Sequence, residues 1–221
     1  MGKIFTGLVS GLIRTFSHRM TTEWEVPYEN GPCVFVANYY GAIGPLEMCV
    51  KFPLRDQCHP WINEEMLEAR KAPSYIRKDY WWKPGTVFEP LLKVTVPYIA
   101  AAVLPPVLRN VKSIPVYHDQ RIILTLRQSI RALQKDESLI VFPEQPSRWL
   151  PQQELLNTSW LRLGEMWYRT CGRALKLYPV HIDRKRHVFK VAAPVMYDPS
   201  RRFTEQEEEL AARLAKGLRG E

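Results

Sequence analysis

Ser113–Phe142, SIPVYHDQRIILTLRQSIRALQKDESLIVF, decides the fold. Residues 113–117 read as a short strand. Ile122, Leu126, Ile130 and Leu133 then recur every three or four positions, which lays an apolar stripe along a helix over 121–135. Residues 138–142 close the stretch as an uninterrupted apolar run, the pattern of a strand buried on both faces. A strand, a helix and a second strand within thirty residues is the alternation of an α/β protein.

The flanks continue it. Residues 32–37 (Pro-Cys-Val-Phe-Val-Ala) form another buried-strand run. Residues 62–71 read as a helix whose Glu64, Glu65, Glu68 and Arg70 face solvent. Residues 155–172 read as a helix, and 175–181 and 188–196 as strands, the former carrying His181. The tail from Thr204 reads as a charged helix. Thr204 with Glu207 fits a capping box, and Leu210, Leu214 and Leu218 form its apolar stripe. The chain shows no internal repeat and no disordered linker. The expectation is one α/β domain with a mixed sheet flanked by helices. It divides into an N-terminal amphipathic helix and linker at 1–29, the α/β domain at 30–200 with an apolar insertion near 85–108, and a charged C-terminal helix at 201–221.

The 221 residues suffice for one such domain with a sizeable core. Hydrophobic residues make up 46% and charged residues 24%, ordinary values for a globular protein. The formal net charge of +8 favours anionic partners: membrane surfaces, phosphates or CoA-like compounds. No RNA-binding, helix-turn-helix or Cys/His-finger pattern is present, so nucleic acid is not expected. Cys33, Cys49, Cys58 and Cys171 form no C-x-x-C pair. No metal site is expected, and Cys33 reads as a buried free thiol of a reduced, cytoplasmic protein. The N-terminus lacks a small-residue cleavage site, which argues against a secretory signal peptide.

Three segments are unusually apolar or aromatic. Ile4, Phe5, Leu8, Val9, Leu12, Ile13 and Phe16 put one apolar stripe on a helix over 2–17, suited either to a membrane surface or to the protein's own core. Residues 72–84 mix bases with Tyr75, Tyr80, Trp81 and Trp82, a composition for a membrane interface or for an aromatic mini-core beneath a loop. Residues 94–108 carry no charge, but fifteen residues fall short of the ~20 a spanning helix needs. Pro97, Pro105 and Pro106 should interrupt a helix. The segment reads as one that dips into the interface or walls an acyl pocket, or as a buried core helix.

Four blocks stand at characteristic places among these elements: Asn38-Tyr-Tyr-Gly-Ala-Ile-Gly-Pro-Leu46, Ser113-Ile-Pro-Val-Tyr-His118, Val141-Phe-Pro-Glu-Gln-Pro-Ser-Arg148 and Leu177-Tyr-Pro-Val-His-Ile182. In order and spacing, over roughly residues 30–196, they resemble the lysophospholipid and 1-acyl-glycerol-3-phosphate acyltransferase family. That family opens with Asn-His-x-x-x-x-Asp and carries Phe-Pro-Glu-Gly-Thr-Arg-Ser in its third block. Leu163-Gly164 and Cys171-Gly172 fit its rhythm.

The resemblance implies acyl transfer at a membrane, and the departures fall on the chemistry. The family's His takes the proton from a glycerol hydroxyl as it attacks an acyl thioester, and its Asp orients the His. Here Tyr39 and Gly44 stand at those positions. Tyrosine titrates near ~10, so about one in a thousand is ionised at pH 7, and glycine orients nothing. His118 is the candidate displaced base or a weak phosphate ligand, or else an exposed loop histidine. Asn38, Arg121, Glu144 and Arg148 are the candidate substrate-binding residues. Glu144 either holds a substrate hydroxyl or is a buried carboxylate paired with Arg148. His18, His59 and His187 have no evident partners.

Two functions follow. The first is a non-catalytic or altered member that binds lysophospholipid or acyl-thioester on the cytoplasmic side of a membrane, peripherally. The second is an active acyltransferase with a non-standard base such as His118. Neither needs a bound cofactor; acyl-CoA or acyl carrier protein would enter as co-substrate. Oligomeric state is not readable from the sequence.

Overall fold

A computed structural model describes residues 19–38, 43–78, 85–143 and 158–220. Eight strands form one mixed sheet: β1 (Thr21–Trp24), β2 (Cys33–Ala37), β3 (Cys58–Asn63), β4 (Ile114–Val116), β5 (Ser138–Val141), β6 (Lys176–Asp183), β7 (Val188–Val191) and β8 (Val195–Met196). Their order is β1-β7-β6-β2-β5-β3-β4, with β8 beside β6. Strands β6, β2, β5, β3 and β4 run parallel to one another, with Val34 opposite both Leu139 and Leu177. Parallel strands need crossovers, and the helices supply them: α1 (Ile43–Lys51), α2 (Glu64–Leu67), α3 (Ala72–Lys78), α4 (Glu89–Asn110), α5 (Ile122–Leu133) and α6 (Arg162–Cys171). After β6 the chain turns back as the antiparallel β7 and ends in α7 (Phe203–Arg219). The expected α/β class, mixed sheet and flanking helices are all present.

Every residue of β2 and β5 is buried, as unbroken apolar runs require between two helical layers. Side chains alternate between the layers. Val34, Val36, Leu139 and Leu177 meet α5, α6 and α7 through Leu133, Trp167 and Leu214. Cys33, Phe35, Ile140 and Tyr178 meet Met48 of α1 and Phe52 on the other face. The stripe Leu210, Leu214 and Leu218 is buried as its spacing demands. Near the end of α7 the helix backbone closes on β6 at Gly217, where an added Cβ would stand 2.5 Å from Pro179 Cβ. The close approach leaves room for no side chain.

Several local expectations give way. Residues 62–71 are not one helix: β3 runs to Asn63, α2 is a single turn, and α3 starts at Ala72. The strand 188–196 is divided at Ala192–Pro194. Ala193 N–H leaves the ladder for Glu25 Oε2 at 3.0 Å, and Pro194 has no N–H to offer. The cap of α7 is Arg202, whose backbone N–H donates to Glu205 Oε2 at 3.3 Å. Thr204 is inside the helix, and Glu207 accepts from the Thr158 hydroxyl at 2.6 Å. Residues 21–24, expected in a linker, form β1 parallel to β7.

The largest departure is α4. The uncharged segment does not stop at its prolines but lies within one 22-residue helix, long and apolar enough to cross a bilayer, with a third of its apolar window buried. A proline inside a helix orphans the carbonyl four residues back. For Pro97 that is the Lys93 carbonyl, and Arg77 Nε donates to it at 3.2 Å. Arg77 Nη2 also reaches the Tyr98 hydroxyl at 3.1 Å, so α3 braces α4 at its weakest turn. The later half of α4 buries Ala101, Leu104 and Leu108 against Ile62, Met66 and Ile76.

Candidate functional site

In an open α/β sheet, ligands bind beyond the carboxyl ends of the parallel strands. Strands β2, β5, β3 and β4 are adjacent and parallel, so their carboxyl ends form one row. The first sequence block leaves β2 at Asn38, the second leaves β4 at Tyr117 and His118, and the third leaves β5 at Phe142 and Pro143. The fourth is β6 itself, alongside β2. Blocks up to 140 residues apart thus meet at one edge of the sheet. Tyr39, Glu144 and Arg148 lie outside the described residues, as do the 2–17 stripe and Trp81-Trp82-Lys83. Gly44 falls in the first turn of α1.

Asn38 is a structural clamp at this edge. Its Oδ1 accepts from Ile182 N–H at 2.7 Å and its own N–H donates to the Val180 carbonyl at 3.2 Å. The side chain extends the β2–β6 ladder by one rung where β2 ends. Glu47 of α1 is 5% exposed, 3.2 Å from Lys51 Nζ and 3.3 Å from Arg184 Nε. The buried carboxylate is thus flanked by two cations. The i, i+4 spacing of Glu47 and Lys51 was visible in sequence; the burial was not.

His118 and Arg121 come together, with two partners that sequence reasoning missed. Asn63, the last residue of β3, caps α2 by accepting from Glu65 N–H at 2.9 Å. Its Oδ1 is therefore committed, and its amide nitrogen lies 3.0 Å from His118 Nε2. An amide nitrogen only donates, so Nε2 of His118 is the acceptor and the ring proton of the neutral imidazole is on Nδ1. The lone pair that a base would use is already filled.

Arg121 is equally committed. Its Nε lies 2.9 and 3.0 Å from the Asp119 carboxylate oxygens, and Nη2 and Nη1 reach Glu64 at 2.9 and 3.3 Å. The guanidinium also lies over the Tyr117 ring at 4.4 Å. These contacts hold the Asp119 carboxyl below the usual carboxylate range and raise Arg121 further. Lys71 joins through Glu68 at 3.0 Å. Two cations face three carboxylates, so an incoming phosphate must displace a carboxylate from Arg121. The loop is held by Thr125 of α5, whose hydroxyl donates to the Pro115 carbonyl at 2.8 Å and lies 3.4 Å from Tyr117 N.

At the opposite end of the sheet His59, expected to stand alone, bridges two partners. Its ring nitrogens lie 2.8 Å from the Lys112 carbonyl and 2.7 Å from Glu137 Oε2. His181 sits in β6, as read from sequence, 2.7 Å from the Leu218 carbonyl.

Beside the polar edge lies a bare apolar face. Helices α2 and α3 follow directly from the end of β3, and the first half of α4 packs on them through Leu92, Val96 and Ala100. Its outer side exposes Phe88, Leu91, Val94, Tyr98 and Ile99, each more than half accessible. Phe88, Leu91, Val94 and Tyr98 follow at three- and four-residue intervals with Ile99 beside Tyr98, so they share one broad stripe. Among the described residues no group of three or more His, Cys, Asp or Glu is placed to hold a metal ion. Comparison of the chain with protein-family models, curated proteins and solved structures finds no match.

Proposed function

We propose that the chain is an acyltransferase-like protein of phospholipid metabolism, peripheral to the cytoplasmic face of a membrane, that binds lysophospholipid or acyl-thioester without the family's usual base. One juxtaposition carries the reading. The carboxyl end of β3 leads straight into α2 and α3, and the first half of α4, which bears the exposed apolar stripe, packs on those two helices. A ligand with a polar head and an acyl chain meets both kinds of surface there. An apolar stripe of this extent in water is unfavourable, and a lipid interface covers it at about 25 cal/mol per Å² buried. The net charge of +8 adds attraction to anionic headgroups. Tyr39, Gly44 and the filled lone pair of His118 all favour binding over turnover.

Co-sedimentation with phosphatidylglycerol-rich vesicles tests the reading. The chain pellets with vesicles at low salt and less as salt rises, because exposed charges are screened. Val94→Asp with Ile99→Asp reduces binding at least tenfold and leaves the melting temperature unchanged, since both side chains are about two-thirds exposed. A parent chain that stays in the supernatant at low salt rules the proposal out.

A further inference from the structure

Away from the polar edge, four arginines line one cleft. Met196 of β8 pairs with Lys176, the first residue of β6, so the chain leaves the sheet at the amino end of β6 and runs as a loop to α7. That loop lies against α6, and between them opens a cleft of about 500 Å³ lined by Arg162, Glu165, Arg169, Arg201, Arg202 and Phe203, among others. On α6 the first three are spaced i, i+3 and i+7, so they share a face. Four guanidiniums stand against a single lining carboxylate.

The cleft is fixed rather than fluid. Gln206 is 2% exposed and holds the loop through three hydrogen bonds: its Oε1 accepts from Asp198 N–H at 2.8 Å, and its Nε2 donates to the Asp198 and Arg201 carbonyls at 2.8 and 3.2 Å. Arg201 is oriented by Glu209 at 2.8 Å and the Glu205 carbonyl at 2.8 Å, and Arg169 by Glu165 at 2.6 Å. Arg162 lies over the buried Phe203 ring at 5.4 Å. The guanidiniums of Arg162 and Arg202 form no ion pair with a carboxylate among the described residues.

The arrangement is electrostatically one-sided. The amino end of a helix is a region of positive potential that favours anions. At the start of the 17-residue α7 the chain places Arg201 and Arg202 beside one acid, Glu205, whose carboxylate accepts from the Arg202 N–H, and Arg202, as the cap residue, has no side-chain oxygen to give the other first amides. An anion bridging the two helices would relieve both conditions. Guanidiniums grip phosphate with paired hydrogen bonds, and the volume is that of a small-ligand site.

We propose that this cleft binds the phosphate group of a phosphorylated compound of about nucleotide size, at a site separate from the lipid edge. Calorimetry with the full chain at low salt, using ADP, tests it, with phosphatidic-acid vesicles as a second arm. The double substitution Arg162→Gln, Arg202→Gln weakens ADP binding at least tenfold while the melting temperature stays within a degree or two, because both side chains are exposed. Loss confined to phosphatidic-acid vesicles assigns the phosphate to a lipid headgroup. No binding of either probe to the parent chain, or equal binding by parent and variant, overturns the site. The α4 variant Val94→Asp, Ile99→Asp keeps ADP binding intact, which separates this proposal from the membrane reading.

Discussion

Asn63 and His118 are joined by a hydrogen bond whose direction is fixed from outside the pair: Asn63 Oδ1 already accepts from Glu65 N–H, so its amide nitrogen donates to His118 Nε2 at 3.0 Å. The cap of a single-turn helix thereby sets the tautomer of the histidine that follows the next strand in the sheet.

Nitrogen NMR of the neutral ring should show His118 as the Nδ1–H tautomer. Asn63→Asp puts an acceptor against Nε2 and should move the ring proton to Nε2, with the α2 cap retained. With its lone pair taken by Asn63, His118 can accept a substrate proton only by giving up that bond, so transfer from acyl-CoA to lysophosphatidic acid should be negligible. Robust turnover that His118→Ala abolishes in a folded protein would reverse this reading.

The strands β2 and β5 were legible because parallel strands covered on both sides are apolar throughout, and runs this short suit strands better than helices. His118 and Arg121 were legible as chemistry-bearing residues next to a strand end. Asn63 and Glu64 were not, because they lie 55 and 57 residues upstream and meet them only through the pairing of β3 with β4. The continuity of α4 was hidden for a similar reason. Local rules end a helix at Pro97, and the donor that satisfies the orphaned Lys93 carbonyl comes from Arg77 on another helix. Strand β1 carries an alternating, half-exposed pattern of only four residues, and its partner β7 is more than 160 residues away.

Gly217→Ala should destabilise the protein although alanine is the better helix former. The propensity gain is at most about 1 kcal/mol. The new Cβ would lie 2.5 and 2.8 Å from Pro179 Cβ and Cγ, and forcing α7 off β6 costs typically 1–3 kcal/mol or more. A melting temperature lower by several degrees is expected, at about 2–4 °C per kcal/mol for a chain of this size. An unchanged or raised melting temperature would mean that helix and strand are not in contact there.

Glu137 should give the protein an acid-sensitive tie between β5 and β3. The His59 ring at 2.7 Å, then Lys112 at 3.1 Å, hold its carboxyl below the usual range. A depressed folded value contributes stability that is full above the unfolded value, near ~4.3, and is lost as pH falls through the folded one. Thermal melts of the parent and Glu137→Gln should differ fully at pH 5–6, and the gap should start to narrow as pH falls below the unfolded value. A gap that is constant from pH 3 to 6 would assign the difference to packing.

Arg121 separates a phosphate site from a structural one. Both edges of its guanidinium are occupied, by Asp119 and by Glu64, and its face lies on Tyr117. The side chain is 48% exposed, so solvent screens each ion pair and neither alone contributes much. Their joint loss takes the guanidinium from between Glu64 and Asp119 and leaves Glu64 with Lys71 alone, at 4.0 Å. Arg121→Gln should therefore loosen the loop that carries His118, seen as a modest fall in melting temperature. Calorimetry with lysophosphatidic acid and with monoacylglycerol decides between the roles. If Arg121 only braces the loop, both ligands weaken equally, since neither contacts the guanidinium. If a phosphate displaces Glu64 or Asp119 on binding, the loss falls on lysophosphatidic acid alone, by tenfold or more, as expected when charge-assisted bonds of about 1.5–3 kcal/mol each disappear. Glu64→Gln sharpens the contrast. It frees one edge of Arg121, so phosphate binding should strengthen if the second role is correct and stay unchanged if the first is.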